Sequence, residues 1–424
     1  MLKLTGRAES IEVGGATGVI AQDVWRVCLA GDRGAVAPTE SDRSLACLVR
    51  AGQPVPPGYG LYLAVGAETL IADTHPRAAR APALRLGSEL AHLDAGDVVH
   101  VTPDGHRITV LWKNSATHNG LLLTEQYDNY CLMCSQPPKD RDDSWLFDRA
   151  KKVISALPDG ARSLSLTGGE PTLHADALIG LLEHCAKTAP QLSIHLLSNG
   201  RRFADPQFAR RYAAVGLGDI MTGIPVYAPE PGLHDFVVQA EGAFDDTIHG
   251  ILNLASLGQA IEIRVVVQRQ TVPVLEALAS FIARNLPFVA QVALMGLEMT
   301  GLARPNSALV WADPVDYQAE LVKTVDILLL AGITTRIYNH QLCVLDRSLW
   351  PYAVRSISEW KNDYLDVCGG CSVRRACGGV FATSGSRVSR RLQPVQEAVS
   401  EHPATRRSAD EPTTGAEYGT VQAD

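Results

Sequence analysis

Residues 121–138 read LLLTEQYDNYCLMCSQPP and residues 164–171 read LSLTGGEP. Each is a short apolar strand that runs into a loop carrying chemistry. Cys131 and Cys134 have the Cys-x-x-Cys spacing that lets two thiols ligate one iron or zinc, and the loop at the carboxyl end of a strand is where α/β proteins bind ligands and cofactors. On its own the pair is a weak signal, for which zinc binding, redox chemistry and coincidence all compete. In the second stretch Gly168 and Gly169 allow a close approach of backbone to a small polar ligand, and Glu170 can meet an ammonium group. The structural alternative is that Gly-Gly is simply a tight turn.

Working outward, short apolar strands alternate with amphipathic helical patterns: 121–123, 164–166, 194–197, 219–221, 261–267 and 289–295. Six strands separated by helices imply a parallel sheet assembled from βα units, either an incomplete barrel or an open sheet. Leu146, Ala150, Val153, Ile154 and Leu157 recur at helical spacing, and Pro158-Asp159-Gly160 ends that run. A further helix over 317–330 and a strand near 335–338 lead to a second group of cysteines. Before residue 119 the texture is β-rich, with Ile108, Val110 and Trp112 alternating after the hairpin signal Pro103-Asp104-Gly105, while 67–93 shows no clear period. After residue 383 few apolar residues remain, too few to offset the entropy of ordering, which predicts a disordered tail over 384–424. The expected domains are therefore 1–118, 119–305, 306–383 and that tail.

Composition narrows the function classes. The 424 residues are 46% hydrophobic, enough for a sizeable core, and the net charge of -8 argues against an electrostatic nucleic-acid binder. No apolar run is long enough to span a bilayer, and the N-terminus lacks a secretory pattern. Nine clustered cysteines in so long a chain suit metal ligation in a reducing cytoplasm rather than a disulfide scaffold. Cys368, Cys371 and Cys377 form a C-x2-C-x5-C array in a Gly-rich loop, and Cys343 upstream supplies a fourth thiol. Four such thiolates can enclose a [4Fe-4S] cluster or a structural zinc ion. Cys28, Cys47 and Cys185 lack partners at ligand spacing and read as small buried hydrophobes. His234-Asp235 reads as a structural turn.

The strand, Cys-x-x-Cys loop, helix and strand ending in Gly-Gly-Glu-Pro together resemble the radical S-adenosylmethionine (SAM) superfamily over roughly Leu121 to Gly301. That resemblance implies a partial (β/α)6 barrel whose CxxxCxxC loop holds a [4Fe-4S] cluster with one iron open to SAM. It implies that Gly168, Gly169 and Glu170 hold the methionine end of SAM and that Ser198 and Asn199 lie near the nucleoside. Arg264 could pair with the SAM carboxylate, or be a strand-edge arginine facing solvent. The wording of 121–138, with GIPVYAPEPGLHDFVVQAEGAFD (223–245), IEIRVVVQRQTVP (261–273) and MGLEMTG (295–301), resembles the HxsC type of His-Xaa-Ser system maturase. This implies a peptide-modifying enzyme acting through a 5′-deoxyadenosyl radical on a ribosomally made peptide with His-Xaa-Ser repeats. Other maturases of the same system and a flavodoxin- or ferredoxin-type electron donor are the implied partners, with neither nucleic acid nor membrane.

The C-terminal array resembles the SPASM and twitch extensions that carry auxiliary clusters, but Phe381 stands where a full SPASM pattern continues with cysteine, so one auxiliary [4Fe-4S] cluster is expected. A second departure is sharper. Family spacing puts a cysteine at 127, and this chain has Tyr127. Either tyrosinate ligates iron beside Cys131 and Cys134, or the cluster is lost and the chain is a peptide- or partner-binding protein. A zinc-stabilised structural protein is a third reading, which leaves Gly-Gly-Glu-Pro unexplained. The β-rich N-terminal domain can recognise peptide or partner, or serve as a structural cap.

Overall fold

Apolar alternation in the N-terminal third closes a sheet upon itself. The computed structural model describes residues 4–11, 20, 22–29, 44–51, 53, 55, 56, 58–66, 81–355, 362–385 and 387–396. The chain divides into two compact units, 1–124 with 142–194 and 125–141 with 195–424.

In the first unit, β1 (Thr5–Ile11), β2 (Val24–Leu29), β3 (Leu45–Arg50), β4 (Leu61–Val65), β5 (Ala83–Leu86), β6 (Val98–Val101) and β7 (Arg107–Trp112) form a closed barrel in the order β1-β5-β4-β3-β2-β6-β7. Closure pairs every strand and leaves no edge exposed. One apolar cluster draws side chains from all seven strands, including Ala8, Trp25, Leu48, Leu63, Leu84, Val99 and Ile108, and so fills the barrel. The opposite face of β3 and β4 is also buried, through Leu45, Cys47, Val49, Tyr62 and Ala64, which is why LACLV reads as an unbroken apolar run. Cys28 and Cys47 are register partners on β2 and β3 and pack in this second cluster as small hydrophobes. The hairpin forms where expected: Gly105 has φ +74°, and Asp104 accepts hydrogen bonds from the Thr102 hydroxyl (2.6 Å) and the His106 N–H (3.0 Å).

The same unit holds β8 (Gly120–Leu122), α1 (Trp145–Ser155), β9 (Ser163–Thr167) and α2 (Ala175–Thr188), with β8 and β9 parallel. Leu146, Phe147, Ala150, Val153 and Ile154 form the buried stripe of α1, and Cys185 is buried on α2 among Leu178, Leu181 and Leu182.

The second unit continues the alternation: β10 (Ser193–Leu197, whose last three residues lie in this unit), α3 (Pro206–Ala214), β11 (Ile220–Pro225), α4 (Pro231–Val238), α5 (Ala243–Ser256), β12 (Ala260–Val267), α6 (Leu275–Asn285), β13 (Gln291–Gly296), α7 (Ser307–Val310), α8 (Gln318–Leu330) and β14 (Thr334–Tyr338). Its strand order is β14-β13-β12-β11-β10, and β11 to β14 are parallel. The α/β class and parallel sheet inferred from the sequence are thus observed. Alternation along β12 buries Ile261, Ile263, Val265 and Val267 on one face and turns Glu262 and Arg264 to the other. A short antiparallel ribbon follows, β15 (Asn362–Asp363) with β16 (Val380–Phe381). Among the described residues no helix is long and apolar enough to cross a membrane.

The expectation of disorder from residue 384 needs correction over 387–396. Ser389 is buried, and Arg390 forms ion pairs with Asp313 (3.3 Å) and Asp316. Composition alone misses this because the order comes from long-range polar contacts rather than from apolar burial. Residues 397–424 lie outside the described residues.

Candidate metal and cofactor sites

The cysteine loop, 125–141, belongs to the second unit and is anchored between its thiols. Leu132 and Met133 are buried with Tyr227, Val237, Val238 and Met299, which leaves flanking Cys131 and Cys134 half-buried. Backbone bonds fix the same stretch: Tyr130 N–H donates to Val238 O (2.9 Å), Leu132 N–H to Val237 O (3.0 Å) and Leu302 N–H to Cys134 O (2.8 Å). Gly301, at φ +53°, lies so close to the carbonyls of Cys134 and Ser135 that a Cβ has no room. Glu125 closes the loop by pairing with Lys139 (2.6 Å) and Arg141, which hold its carboxyl below the usual range.

Tyr127 sits at the thiols: its side chain hydrogen-bonds Cys134. Burial pushes the Cys131 thiol up to about 12, with Cys134 beside it adding to the shift. Burial also raises Cys134, partly offset by the Gln136 main chain and the Tyr127 side chain; the Cys134 thiol donates to Gln136 O (2.8 Å). Without metal both thiols keep their protons at neutral pH, so a cation must displace them to bind. The loop offers two sulfurs and one phenol oxygen, a donor set that fits iron through mixed S and O ligation.

Residues not singled out by the sequence hold this loop in place. Arg201 donates from NH1 to Asp128 O (3.1 Å) and Asn129 Oδ1 (3.0 Å), and from Nε and NH2 to Asp246 Oδ2 (3.2 and 3.1 Å). Asn199 Nδ2 donates to Asp128 Oδ1 (2.5 Å), so this expected nucleoside contact also buttresses the loop. Ser198 is buried and its Oγ accepts from Gly200 N–H (3.1 Å). Arg264 does not face solvent alone. Its NH1 meets Glu262 Oε1 (2.5 Å), NH2 lies 3.1 Å from Met295 Sδ, and His195 Nε2 is 3.3 Å from the same carboxylate. Burial opposes the charge on Glu262, yet His195 and Arg264 overcome it and lower its carboxyl to about 2. Gly223 makes room, since a Cβ there would fall 2.9 Å from both Arg264 Cδ and His195 Nε2. His234 and Asp235 are structural: His234 Nδ1 accepts from Tyr227 N–H (3.3 Å), and Asp235 accepts from the N–H groups of Gly242 (2.7 Å) and Phe244 (2.8 Å).

The Gly-Gly-Glu turn lies in the first unit, at the end of β9. Gly169 N–H donates to Thr124 O (2.6 Å), and a Cβ on Gly168 would fall 2.7 Å from that oxygen, so close backbone approach dictates the first glycine. Glu170 is buried and caps the turn that follows, its Oε1 accepting from Thr172 N–H (3.0 Å) and Oγ1 (2.6 Å). Beside it, buried Asp143 accepts from Thr124 Oγ1 (2.8 Å), with His174 Nε2 at 4.0 Å.

Four further cysteines share one pocket. Cys343, Cys368, Cys371 and Cys377 line it together with Tyr364, Leu392 and Pro394. Each thiol that is raised by burial also feels its neighbours: Cys343 is pushed further by Cys377, Cys368 and Cys371. Main-chain N–H groups face the sulfurs, from Gly379 to Cys377 and from Val395 to Cys371, both at 3.4 Å. Tyr317 and Trp350 brace the Cys343 segment, through His340 Nε2 (2.9 Å) and Leu342 O (2.9 Å). An apolar wall, four thiols and N–H donors fit an iron-sulfur cluster. Among the described residues no three His, Cys, Asp or Glu side chains are arranged to hold a single metal ion.

No curated protein matches this chain. Among solved structures, SuiB from Streptococcus suis bound to S-adenosylmethionine is similar at 14% identity and a TM-score of 0.42, over 52% of this chain and 49% of that one. Native anSMEcpe with bound AdoMet and Cp18Cys peptide is similar at 16% identity and 0.41, over 51% and 62%. Methylornithine synthase (PylB) is similar at 10% identity and 0.39, over 52% and 64%. The chain thus spans about half to less than two thirds of the length of these structures. Residues 128–282, which include Cys131, Cys134, the Gly-Gly-Glu turn and Arg264, match the family model of the Radical SAM superfamily, so the chain carries a radical SAM superfamily domain.

Proposed function

We propose that this protein is a radical SAM maturase of a ribosomally made peptide or small protein, of the His-Xaa-Ser system type. The observation that supports the reading is the match of residues 128–282 to the Radical SAM superfamily model, and the interaction of the Tyr127 side chain with Cys134 favours a phenol as third donor. In this reading Tyr127, Cys131 and Cys134 hold the SAM-binding [4Fe-4S] cluster, within a partial (β/α)6 barrel spanning 119–305. When bound, the reduced cluster supplies one electron to SAM, whose cleavage yields a 5′-deoxyadenosyl radical able to take hydrogen from the peptide. Gly168 and Gly169 present backbone to the methionine end, Glu170 supplies a buried carboxylate, and Ser198 and Asn199 border the nucleoside. Arg264 offers a guanidinium already oriented by Glu262. Cys343, Cys368, Cys371 and Cys377 hold one auxiliary cluster within 306–383. A flavodoxin- or ferredoxin-type donor in the cytoplasm supplies the electron, and partner maturases act on the same peptide.

The absence of a third loop thiol favours a second reading, a cluster-deficient homologue that binds peptide or a partner maturase. Anaerobic reconstitution of the protein beside Tyr127→Phe and Tyr127→Cys separates the two, with iron content and 5′-deoxyadenosine as readouts. SAM cleavage by the native chain that is lost in Tyr127→Phe establishes the tyrosinate ligand. Cleavage only in Tyr127→Cys assigns this chain to the binding class.

A further inference from the structure

The segment 387–396 is held at both ends against the thiol pocket. At one end Arg390 reaches α8's entry: its N–H donates to Asp313 Oδ2 (3.0 Å), and its guanidinium pairs with Asp313 and with both oxygens of Asp316. At the other end the carbonyl of Val395 accepts from Ser372 N–H and Oγ, both at 2.9 Å, in the turn that carries Cys371. Between these anchors Leu392, Gln393 and Pro394 form part of the pocket wall. The Val395 N–H points at Cys371 Sγ (3.4 Å), and Gln393 lines the pocket together with Cys343. A loose tail has no reason to aim a backbone N–H at a thiol.

We infer that residues 390–395 are a working part of the auxiliary metal site: a strap that supplies an N–H donor to the thiolate of Cys371 and covers the pocket beside Cys343, keeping water off the ligands. The inference rests on reading the four thiols as a metal site. Physically, an N–H aimed at sulfur stabilises negative charge there, which favours the deprotonated ligand and the reduced form of a bound cluster. Leu392 and Pro394 add an apolar cover that lowers the local dielectric and slows hydrolysis of the metal-sulfur bonds.

The test uses the full chain and two substitutions that leave every cysteine in place. Arg390→Glu reverses the anchor at an exposed position, and Val395→Pro deletes a single N–H donor. In metal-free reduced protein, alkylation by N-ethylmaleimide is followed cysteine by cysteine with mass spectrometry. Arg390→Glu is expected to speed labelling of Cys371 and Cys343 by about tenfold or more, because local opening governs access, with Cys131 and Cys134 unchanged. Val395→Pro should act chiefly on Cys371. The double variant Arg390→Asp with Asp316→Arg should restore protection, which a merely misfolded protein cannot do. Unchanged labelling in both single variants overturns the strap.

A second readout separates the strap from the metal assignment beneath it. In a Cys131→Ser, Cys134→Ser background, iron bound at the pocket should be lost faster to EDTA in Arg390→Glu than in its parent. If that parent takes up neither iron nor zinc while labelling still rises in Arg390→Glu, the metal assignment fails, and with it the role of the strap at a metal.

Discussion

The cysteine loop and the C-terminal thiol pocket lie in the same unit and solve the same problem in different ways. The loop holds two thiols on a peptide stapled by Leu132 and Met133 and riveted by Arg201, with the Tyr127 phenol beside Cys134. The pocket holds four thiols, and its fixation is polar: N–H groups of Gly379 and Val395 address the sulfurs directly. The contrast teaches that thiol count and thiol environment are separate variables. A site with four sulfurs and backbone donors can close around a cluster, whereas a site with two sulfurs and an oxygen is left with a coordination position for another molecule.

The comparison can be broken most sharply at two glycines. Gly301 (φ +53°) abuts the Cys134 carbonyl and Gly379 (φ +69°) abuts the Asp363 carbonyl. An alanine at either pays roughly 1–3 kcal/mol for its backbone conformation alone, before any clash. Gly301→Ala should empty the loop of iron and spare the pocket, and Gly379→Ala the reverse, read by iron content in backgrounds where the other site's cysteines are serine. Loss at both sites from one substitution would show that the two are not independently built.

Acid should strike the pocket's scaffold next. Burial lowers His340 to about 4, and its Nδ1 lies 2.9 Å from Tyr338 O while Nε2 meets the Tyr317 hydroxyl. Its folded-state pKa lies below the unfolded value of about 6.5, so the stability it supports is complete above that pH and falls away as pH drops towards 4. Integrated over that window the loss is at most roughly 3 kcal/mol. Thermal melts between pH 7 and 4 should therefore fall steeply, and His340→Gln should flatten that fall. A slope unaltered by the substitution would point to another titrating group.

A smaller effect sharpens the loop side. Arg201→Ala removes every bond from that guanidinium to Asp128, Asn129 and Asp246, at a cost of about 1–3 kcal/mol. Iron should dissociate faster from the loop with little change at the pocket. Equal release from both sites would deny Arg201 its local role.

Much of the framework was legible in the sequence because it is written in short-range pattern. Period-two alternation at Ile108, Val110 and Trp112 marked β7, and helical spacing from Leu146 to Ile154 marked α1. The expected run 219–221 proved to be only the start of β11, which extends to Pro225, because Gly223 and Pro225 obscure an apolar signal on a strand that must make room for His195 and Arg264. The pairing of Glu262 with Arg264 was within reach too, since residues two apart on a strand share a face. Arg201 carried no such mark, because its partners lie more than forty residues away in sequence.

The sequence by itself determined that strands alternate with helices, that two thiols follow the strand at 120–122, that a glycine pair precedes a carboxylate, and that Tyr127 replaces a third thiol. These are local facts, set by side-chain chemistry and spacing. Only the tertiary structure decided that the Tyr127 side chain meets Cys134, that the expected fourth thiol, Cys343, shares one pocket with the distant C-x2-C-x5-C array, and that a polar tail folds back to hydrogen-bond Cys371. Each of those depends on chain closure over long separations, whose entropic cost is offset by contacts that no local window contains.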